Sequence, residues 1–282
     1  MDISYEKQGY LYDDFRMFHL KDHQKREFEF HYHDFYKIIF FIKGRVTYNI
    51  EGKNYILKPY DMVLISEGEI HKPEVSFEEP YERVIFYISK DWFSRYKTAD
   101  YDMEYCFQKA QLEKKHVLRF SVLENSLFLD LIHKMKEKAF GEEYASKLYG
   151  DALFLTFLIE LNRCCMDGRG SFEQLSSCNS KMIDILEYIN DHLSERLDVE
   201  YLADKFYISK YHMMRAFKKE TGYSVHQYIT EKRIMLAKKL MDSGMSAGNA
   251  CMECGFKDYS AFSRAYKARM ACPPTGQEPN HA

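Results

Sequence analysis

The sequence predicts a two-domain α+β protein: an N-terminal antiparallel β-barrel with accompanying helices, followed by an all-α double helix-turn-helix. Three observations carry this prediction. Aromatic and β-branched runs broken by short turn signals fill residues 26–90. After Ser121 the apolar spacing changes from every second to every fourth position. In the C-terminal part, a pattern of helix, tight turn and helix occurs twice at a nearly constant offset.

The composition is that of a globular chain. The 282 residues include 40 Lys+Arg against 43 Asp+Glu, 46% hydrophobic residues, and only 13 Gly and 6 Pro, which excludes disordered and fibrous classes. The longest apolar runs, Lys37-Ile-Ile-Phe-Phe-Ile and Ala152 to Ile159, fall short of the roughly 20 residues a bilayer helix needs, so no membrane span is expected. Met1-Asp2-Ile3-Ser4-Tyr5-Glu6 has neither a basic cluster nor an apolar signal core, and cytoplasmic residence is the expectation. Seven cysteines, at 106, 164, 165, 178, 251, 254 and 272, have no secreted-scaffold spacing and read as free thiols. Cys251-Met-Glu-Cys254 has the form of half a metal site, but no second Cys or His pair completes it at zinc-finger spacing, and a buried structural pair is expected. No metal or cofactor is expected. The net charge of −3 excludes a generally basic coat and leaves room for local basic faces.

In chain order, Glu27-Phe-Glu-Phe-His-Tyr-His33 alternates, Tyr36 to Ile42 is continuously apolar and aromatic, and Val46-Thr-Tyr-Asn-Ile50 and Val84-Ile-Phe-Tyr-Ile88 give further strands. Turn signals at Lys43-Gly44, Glu51-Gly-Lys-Asn54, Lys58-Pro-Tyr-Asp61 and Glu67-Gly68 separate them, as short hairpins require. Residues 1–120 form the β-rich domain on this reading. Ser121-Val-Leu-Glu124 has capping-box form, and Leu123, Leu127, Leu131 and Met135 make one apolar stripe on a helix; a second helix covers about Glu142 to Cys165. These two apolar helices either pack on the barrel and each other or make a homodimer contact, and residues 121–166 are assigned as a helical dimerisation segment. Residues 167–180, with Asp167-Gly-Arg-Gly-Ser171 and Ser176-Ser-Cys-Asn-Ser180, read as a linker. The remainder, 181–282, is helical in pattern. Residues 1–177 carry 25 Lys+Arg and 30 Asp+Glu, whereas 178–282 carry 15 and 13, so the helical part is the more basic one.

Within it, Met214-Arg-Ala-Phe-Lys-Lys219 aligns with Ser263-Arg-Ala-Tyr-Lys-Ala268 at an offset of 49, and Leu202-Ala203 and Phe206 align with Ala250-Cys251 and Cys254 at 48. In the first copy Asp198 caps a helix to about Phe206, and Ser209 caps the next, which Thr221-Gly222 stops. Met213 and Phe217 face a core, while Tyr211, Met214, Arg215 and Lys218 occupy one outward stripe at i, i+3, i+4 and i+7. In the second copy Phe262, Ala265 and Tyr266 face in, and Ser260, Ser263, Arg264 and Lys267 face out. A helix presenting Arg, Lys and short polar side chains suits a DNA major groove, where Arg pairs with a guanine edge and Lys and Ser reach phosphate oxygens; the alternative is an ordinary solvated face. The duplication favours the first. Ser224-Val-His-Gln227 opens a connecting helix to about Asp242, with Tyr228, Ile229, Ala237, Leu240 and Met241 inward, able to hold two reading helices about 34 Å apart.

These residues resemble a known family. Ser209-Lys-Tyr-His-Met-Met-Arg-Ala-Phe-Lys-Lys-Glu-Thr-Gly222, then Gln227-Tyr-Ile, Arg233, Gly255-Phe256 and Phe262-Ser-Arg264, are similar to the AraC/XylS family of bacterial transcription regulators. The resemblance implies a double helix-turn-helix whose recognition helices enter adjacent major grooves of double-stranded DNA upstream of promoters, in contact with RNA polymerase, as transcription activators of this family do. It implies Lys210, Tyr211, Met214 and Arg215 as the first set of readers and Tyr259, Ser260, Ser263 and Arg264 as the second. The chain departs from the family pattern at Ala250-Cys251 and Cys254, at Ala271 where the family usually has Gly, and at Gln277 and Glu278, while Pro274 is kept. Weaker contact by the second unit is therefore expected.

The β-rich half looks like the cupin-type sensing domain that often accompanies this unit: His31-Tyr-His33, Gly44, Pro59-Tyr-Asp61 and His71 sit where cupins carry their motifs. His31 and His33 share a strand face, and three imidazoles with His71 are a metal-ligating set. The usual cupin Glu is replaced near its place by Lys37, and a cation there opposes metal binding. Polar contacts to a small organic effector such as a sugar, or a structural role, are the other readings of these histidines. The pocket candidates are His31, His33, Tyr48, His71 and Tyr87. The sequence thus predicts an effector-responsive, homodimeric DNA-binding regulator and not an enzyme; the rival is a metal-dependent cupin enzyme with a helical assembly domain.

Overall fold

A computed structural model describes residues 11, 14–23, 28–76, 78–138, 143–173 and 179–275. The N-terminal hexapeptide, Glu27, Glu142, Cys178, Gln277 and Glu278, on which parts of the sequence reading fall, lie outside the described residues.

The first half builds two facing antiparallel sheets. The larger contains β1 (Phe15–Asp22), β7 (Tyr81–Ile88), β2 (Tyr36–Lys43), β5 (Met62–Ile65), β8 (Val117–Phe120) and β9 (Gly170–Phe172), in that spatial order. The smaller has β3 (Arg45–Ile50) between β4 (Lys53–Ile56) and β6 (His71–Ser76). The continuous apolar run of β2 follows from burial on both faces. Ile39 and Phe41 point between the sheets, with Tyr48, Ile50, Val63 and Ile65. Ile38 and Phe40 point the other way, against helices. Gly44 joins β2 to β3 at φ +131, where a Cβ would come within 3.2 Å of the Pro80 carbonyl oxygen, so the turn demands glycine.

The predicted strand from Glu27 to His33 is not regular where it is described: one bridge, His31 to His71, ties it to β6. Residues 30–33 are nevertheless all buried.

The helices over the outer face of the larger sheet are α1 (Lys90–Arg95), α2 (Tyr105–Leu112), α3 (Val122–Lys138) and α4 (Ser146–Asp167). At the start of α3 the Ser121 hydroxyl donates to the Glu124 carboxylate and accepts the Leu123 N–H, so the two side chains bond each other in place of the reciprocal backbone bonds of the expected capping box. The expected stripe holds for half its length. Leu131 and Met135 are buried beside Phe128 and Ile132, but Leu123 and Leu127 face outward. A spacing of four advances about 40° per step on a helix of 3.6 residues per turn, so the stripe rotates off the core. Both α3 and α4 share the apolar core of the larger sheet and are part of that layer. Within the expected linker, residues 170–172 form β9, which pairs with β8 through Leu118 and Phe172, so this part of the segment is sheet edge.

The second half is helical: α5 (Ser180–Asp191), α6 (Val199–Lys205), α7 (Lys210–Thr221), α8 (Val225–Asp242), α9 (Ala247–Glu253) and α10 (Tyr259–Met270). The N-caps are those the sequence announces. Asp198, Ser209 and Ser224 each accept a backbone N–H two or three positions into their helix, and Ser224 with Gln227 completes the capping box. The long α8 serves two cores: Val225, Tyr228 and Ile229 belong to one with α5–α7, Ile234 and Ala237 to another with α9 and α10. The halves meet at the first of these cores, which also contains Phe30, Tyr32 and Ile70.

Candidate functional site

In the first repeat, α6 and α7 pack through Leu202, Ala203, Met213 and Phe217, all buried. This leaves Tyr211, Met214, Arg215 and Lys218 exposed, and together with Lys219 they line one surface depression of about 350 Å³. The predicted outward stripe is thus a single surface, with an aromatic ring and a thioether beside a guanidinium. Lys210 is also exposed, but its ammonium pairs with Glu200 of α6, a surface contact that is easily exchanged for a phosphate. Among the described residues no carboxylate pairs with Arg215 or Lys218. Sequence reasoning missed Lys219 and Tyr207. Tyr207, at φ +50 in the turn before α7, is 91% exposed; its place in the turn of the repeat was the available signal.

The second repeat has the same construction. Phe262 and Tyr266 are buried against Ile234, Ala237, Ala250, Cys251 and Cys254. Tyr259, Ser260, Arg264 and Lys267 are exposed and Ser263 is half-buried. Cys251 and Cys254 lie in this core, with the Cys254 thiol donating to the Cys251 carbonyl oxygen at 3.4 Å and pushed up to about 11 by burial, so they are an inert structural pair. Ala271 ends α10 in the left-handed conformation, φ +59, which explains why glycine is the favoured residue there.

All five pocket candidates of the β-rich half converge. His31, His33 and His71 place their ligating nitrogens within 4.8 Å of one another. Tyr48 lies parallel to His71 with ring centroids 6.1 Å apart, and Tyr87 is 5.7 Å from His33. His31 and His71 each donate Nδ1–H to the carbonyl two residues earlier, of Glu29 and Glu69, both at 2.8 Å, which turns each Nε2 inward. Lys37 brings Nζ to 3.5 Å from His33 Nε2 and 3.4 Å from His71 Nε2. Burial, and then the nearby Arg83 charge, pull the Lys37 ammonium down to about 7, while burial and then Lys37 hold His31 near 4, so its imidazole is neutral at pH 7. His33 also borders a chamber of about 160 Å³ between the domains, lined further by Tyr36, Glu67, Met235, Leu236 and Met270.

Two family models match the chain in the order of its domains: an AraC-like ligand binding domain over residues 17–150 and a helix-turn-helix domain over 202–276. The chain belongs to the AraC family of transcription regulators. Its relatives include the uncharacterized HTH-type transcriptional regulator YbfI of Bacillus subtilis, 24% identical over 83% of this chain and 81% of that protein. They also include the HTH-type transcriptional activator RhaS of Escherichia coli, 22% identical over 88% of this chain and 86% of that protein. Among solved structures, the chain is similar to the DNA-binding domain of AdpA in complex with a target DNA, at 25% identity and TM-score 0.33 over 34% of this chain and 86% of that one. It is similar to ToxT of Vibrio cholerae at 14% identity and TM-score 0.38 over 96% and 97%.

As an AraC-family member the chain is a DNA-binding transcription regulator with a ligand-binding domain and is not an enzyme. The helix-turn-helix match covers both repeats, from Leu202 to beyond α10. No helix among the described residues is long and apolar enough to cross a membrane.

Proposed function

We propose that this AraC-family regulator is a cytoplasmic homodimer that activates transcription when an effector binds its β-rich domain, with α7 and α10 as the two reading helices. The observation that supports this most is the pair of outward faces: Tyr211, Met214, Arg215 and Lys218 on α7, and Tyr259, Ser260, Arg264 and Lys267 on α10, exposed on helices whose opposite sides are fully buried. In these faces Arg215 and Arg264 read guanine edges, Met214 and Tyr211 contact thymine methyl groups, and Lys210, Ser260, Ser263, Lys218 and Lys267 hold phosphates. Residues 1–120 serve as the sensing domain, 121–166 as the dimerisation helices, 167–180 as the connection and 181–282 as the DNA-binding domain. Dimer formation is supported by the outward apolar residues Val122 and Leu123 on α3 and Leu148 on α4, which are 87%, 77% and 69% exposed. RNA polymerase is the further partner of a promoter-proximal activator.

Genome-wide binding-site mapping followed by gel-shift titration on a recovered site tests the reading. Arg215→Ala and Arg264→Ala are expected to weaken binding and relax base preference, while Lys218→Ala weakens all sequences alike and lowers the salt slope. Retention of full affinity and specificity by both arginine variants would overturn the assignment of the reading faces.

A further inference from the structure

The gap between the two sheets is packed with Ile39, Phe41, Tyr48, Val63 and Ile65. The chamber of about 160 Å³ lies outside it, between the β-rich domain and the second half of α8. It borders a cleft of about 800 Å³, and the two share Asp34, Glu67, Lys238 and Asp242. The domains touch at its edge, where a Cβ on Gly68 would come within 2.6 Å of the Met235 sulfur. The charges of the chamber are divided by domain: Glu67 and Glu104 come from the β-rich side, Lys238 and Lys239 from α8. Neither carboxylate forms an ion pair with either lysine among the described residues. Glu104 accepts the Tyr36 hydroxyl at 2.6 Å, and Lys238 pairs with Asp242 on its own helix at 3.0 Å. That leaves Glu67, whose carboxylate has no hydrogen bond among the described residues, and the exposed Lys239, which has no carboxylate partner there. Burial pushes the Glu67 carboxyl up against the pull of Lys90, Lys238 and Lys239.

We propose that this chamber binds a free α-amino acid with an apolar side chain, its ammonium on Glu67 and its carboxylate on Lys239 and Lys238, and that this amino acid is the effector. The second half rests on the regulator reading above; the first half stands without it. Opposite charges that face one another across a gap without closing it are satisfied together by one molecule that carries both, whereas a plain cation or anion leaves one wall unanswered. The remaining surface suits the side chain, since Met235, Leu236 and Met270 are apolar and thioethers adapt their shape to the occupant. Size sets the class as well. The chamber is about half of the roughly 300 Å³ at which drug-sized ligands begin, which admits a single amino acid and excludes a peptide or an oligosaccharide. The larger cleft, open to solvent and sharing Glu67 and Lys238, is the entry path. Met235 also packs against the core that holds α7, so an occupant bears on the first reading helix through α8.

The test is equilibrium dialysis of the full-length protein against radiolabelled L-leucine and L-methionine, with two leucine analogues as competitors: leucinamide, which lacks the carboxylate, and 4-methylpentanoate, which lacks the ammonium. The expected result is saturation at one amino acid per chain, with each analogue competing at least about 10-fold less well than leucine, as the loss of a charge-assisted hydrogen bond requires. Glu67→Gln should bind leucine on the order of 10-fold more weakly and lose the preference over 4-methylpentanoate, while Lys239→Gln should lose the preference over leucinamide. Circular dichroism identifies a variant that fails to fold; Lys239 is exposed, and the wild-type competition decides by itself if Glu67→Gln does not fold. No saturation of the wild type by either amino acid below about 1 mM overturns the site. Competition by either analogue as strong as by leucine, or a preference that survives in its folded variant, overturns the assignment of the two charged walls. With the chamber filled, affinity for a mapped DNA site should shift at least about fivefold. A filled chamber with unshifted DNA affinity overturns the effector role, whereas absence of specific DNA binding in either state overturns the regulator reading instead.

Discussion

The two helix-turn-helix units are built alike and held differently. The core of the first is shared with the β-rich domain through Phe30, Tyr32 and Ile70, whereas the core of the second is drawn wholly from α8 to α10 and the turn after it. Polar contacts follow the same division. Lys232 on the first half of α8 reaches Glu51 at 2.6 Å and the Gly68 carbonyl oxygen at 3.1 Å, and the Tyr228 hydroxyl donates to the same Glu51 carboxylate. Near the second unit the cross-domain ion pair is Lys90 with Asp242, at 3.7 Å and much more exposed. The difference teaches that a change in the β-rich domain reaches α7 through a shared core, whereas α10 faces that domain at Met270 across the chamber without a shared core, so the first unit is placed to be regulated and the second to anchor.

The largest test of this contrast removes the first attachment. Burial alone would raise the Glu51 carboxyl, but the Lys232 ammonium and the hydrogen bonds from Lys232, Tyr228 and the Ile70 N–H hold it below its ordinary value. Lys232→Ala leaves this carboxylate buried without its counter-charge and should cost about 3–5 kcal/mol in a urea melt. Lys90→Ala should cost under about 1 kcal/mol. A carboxyl depressed in the folded state adds stability that is full above the ordinary value of about 4.3 and is lost as pH falls through its folded value. Melts between pH 7 and pH 3 should therefore show an acid loss that Glu51→Gln flattens. Equal costs for the two lysines would erase the asymmetry.

Next in size is Gly222→Ala. Gly222 sits at φ +75 and its Cβ would strike Phe30, so about 2 kcal/mol is expected from the left-handed conformation and the displaced ring together, with hydrogen exchange loosening in both α7 and residues 28–33. Loosening confined to α7 would show that the two domains are not coupled at this point.

How much of this was legible in the sequence follows the range of the interactions. The caps at Asp198, Ser209 and Ser224 and the faces of α7 and α10 are decided within one or two turns, and the structure places them as the residues announce. The contacts at Phe30 and Glu51 were not legible, because they join positions 192 and 181 residues apart, and the alternation of residues 27–33 does not tell which domain each face meets. The histidines show the intermediate case: spacing of two told that His31 and His33 share a face, but only the His31 to His71 bridge brings the third ring to them. Strand β9 escaped because three residues, Gly170–Phe172, carry too short a pattern.

The DNA contacts give the third contrast. Removing a guanidinium that is bidentate to guanine costs about 1–3 kcal/mol, and Arg215→Ala is expected at the upper end of that range with Arg264→Ala at the lower. Quantitative gel shifts at one salt concentration compare them. A larger loss at Arg264 would reverse the ranking of the two units.

The smallest test concerns the residue that ends each reading helix. Gly222 and Ala271 occupy the same place in the repeat, both left-handed, at φ +75 and +59, and each donates its N–H to the carbonyl of a lysine four residues earlier. Alanine in that conformation costs about 1–2 kcal/mol, while glycine adds about 0.4–1 kcal/mol of unfolded-chain entropy, so Ala271→Gly should stabilise by about 0.5–1 kcal/mol. The melting temperature should rise by roughly 2–4 °C if the unit melts with the rest of the chain. Since Ala271 is exposed, no packing contact is lost to offset the gain. If the second unit is weakened by its altered end, this variant should also narrow the gap between Arg264→Ala and Arg215→Ala, because a firmer α10 lets Arg264 contribute more. A stabilised protein with the gap unchanged would place the weakness of the second unit in its reading face, not in its closure.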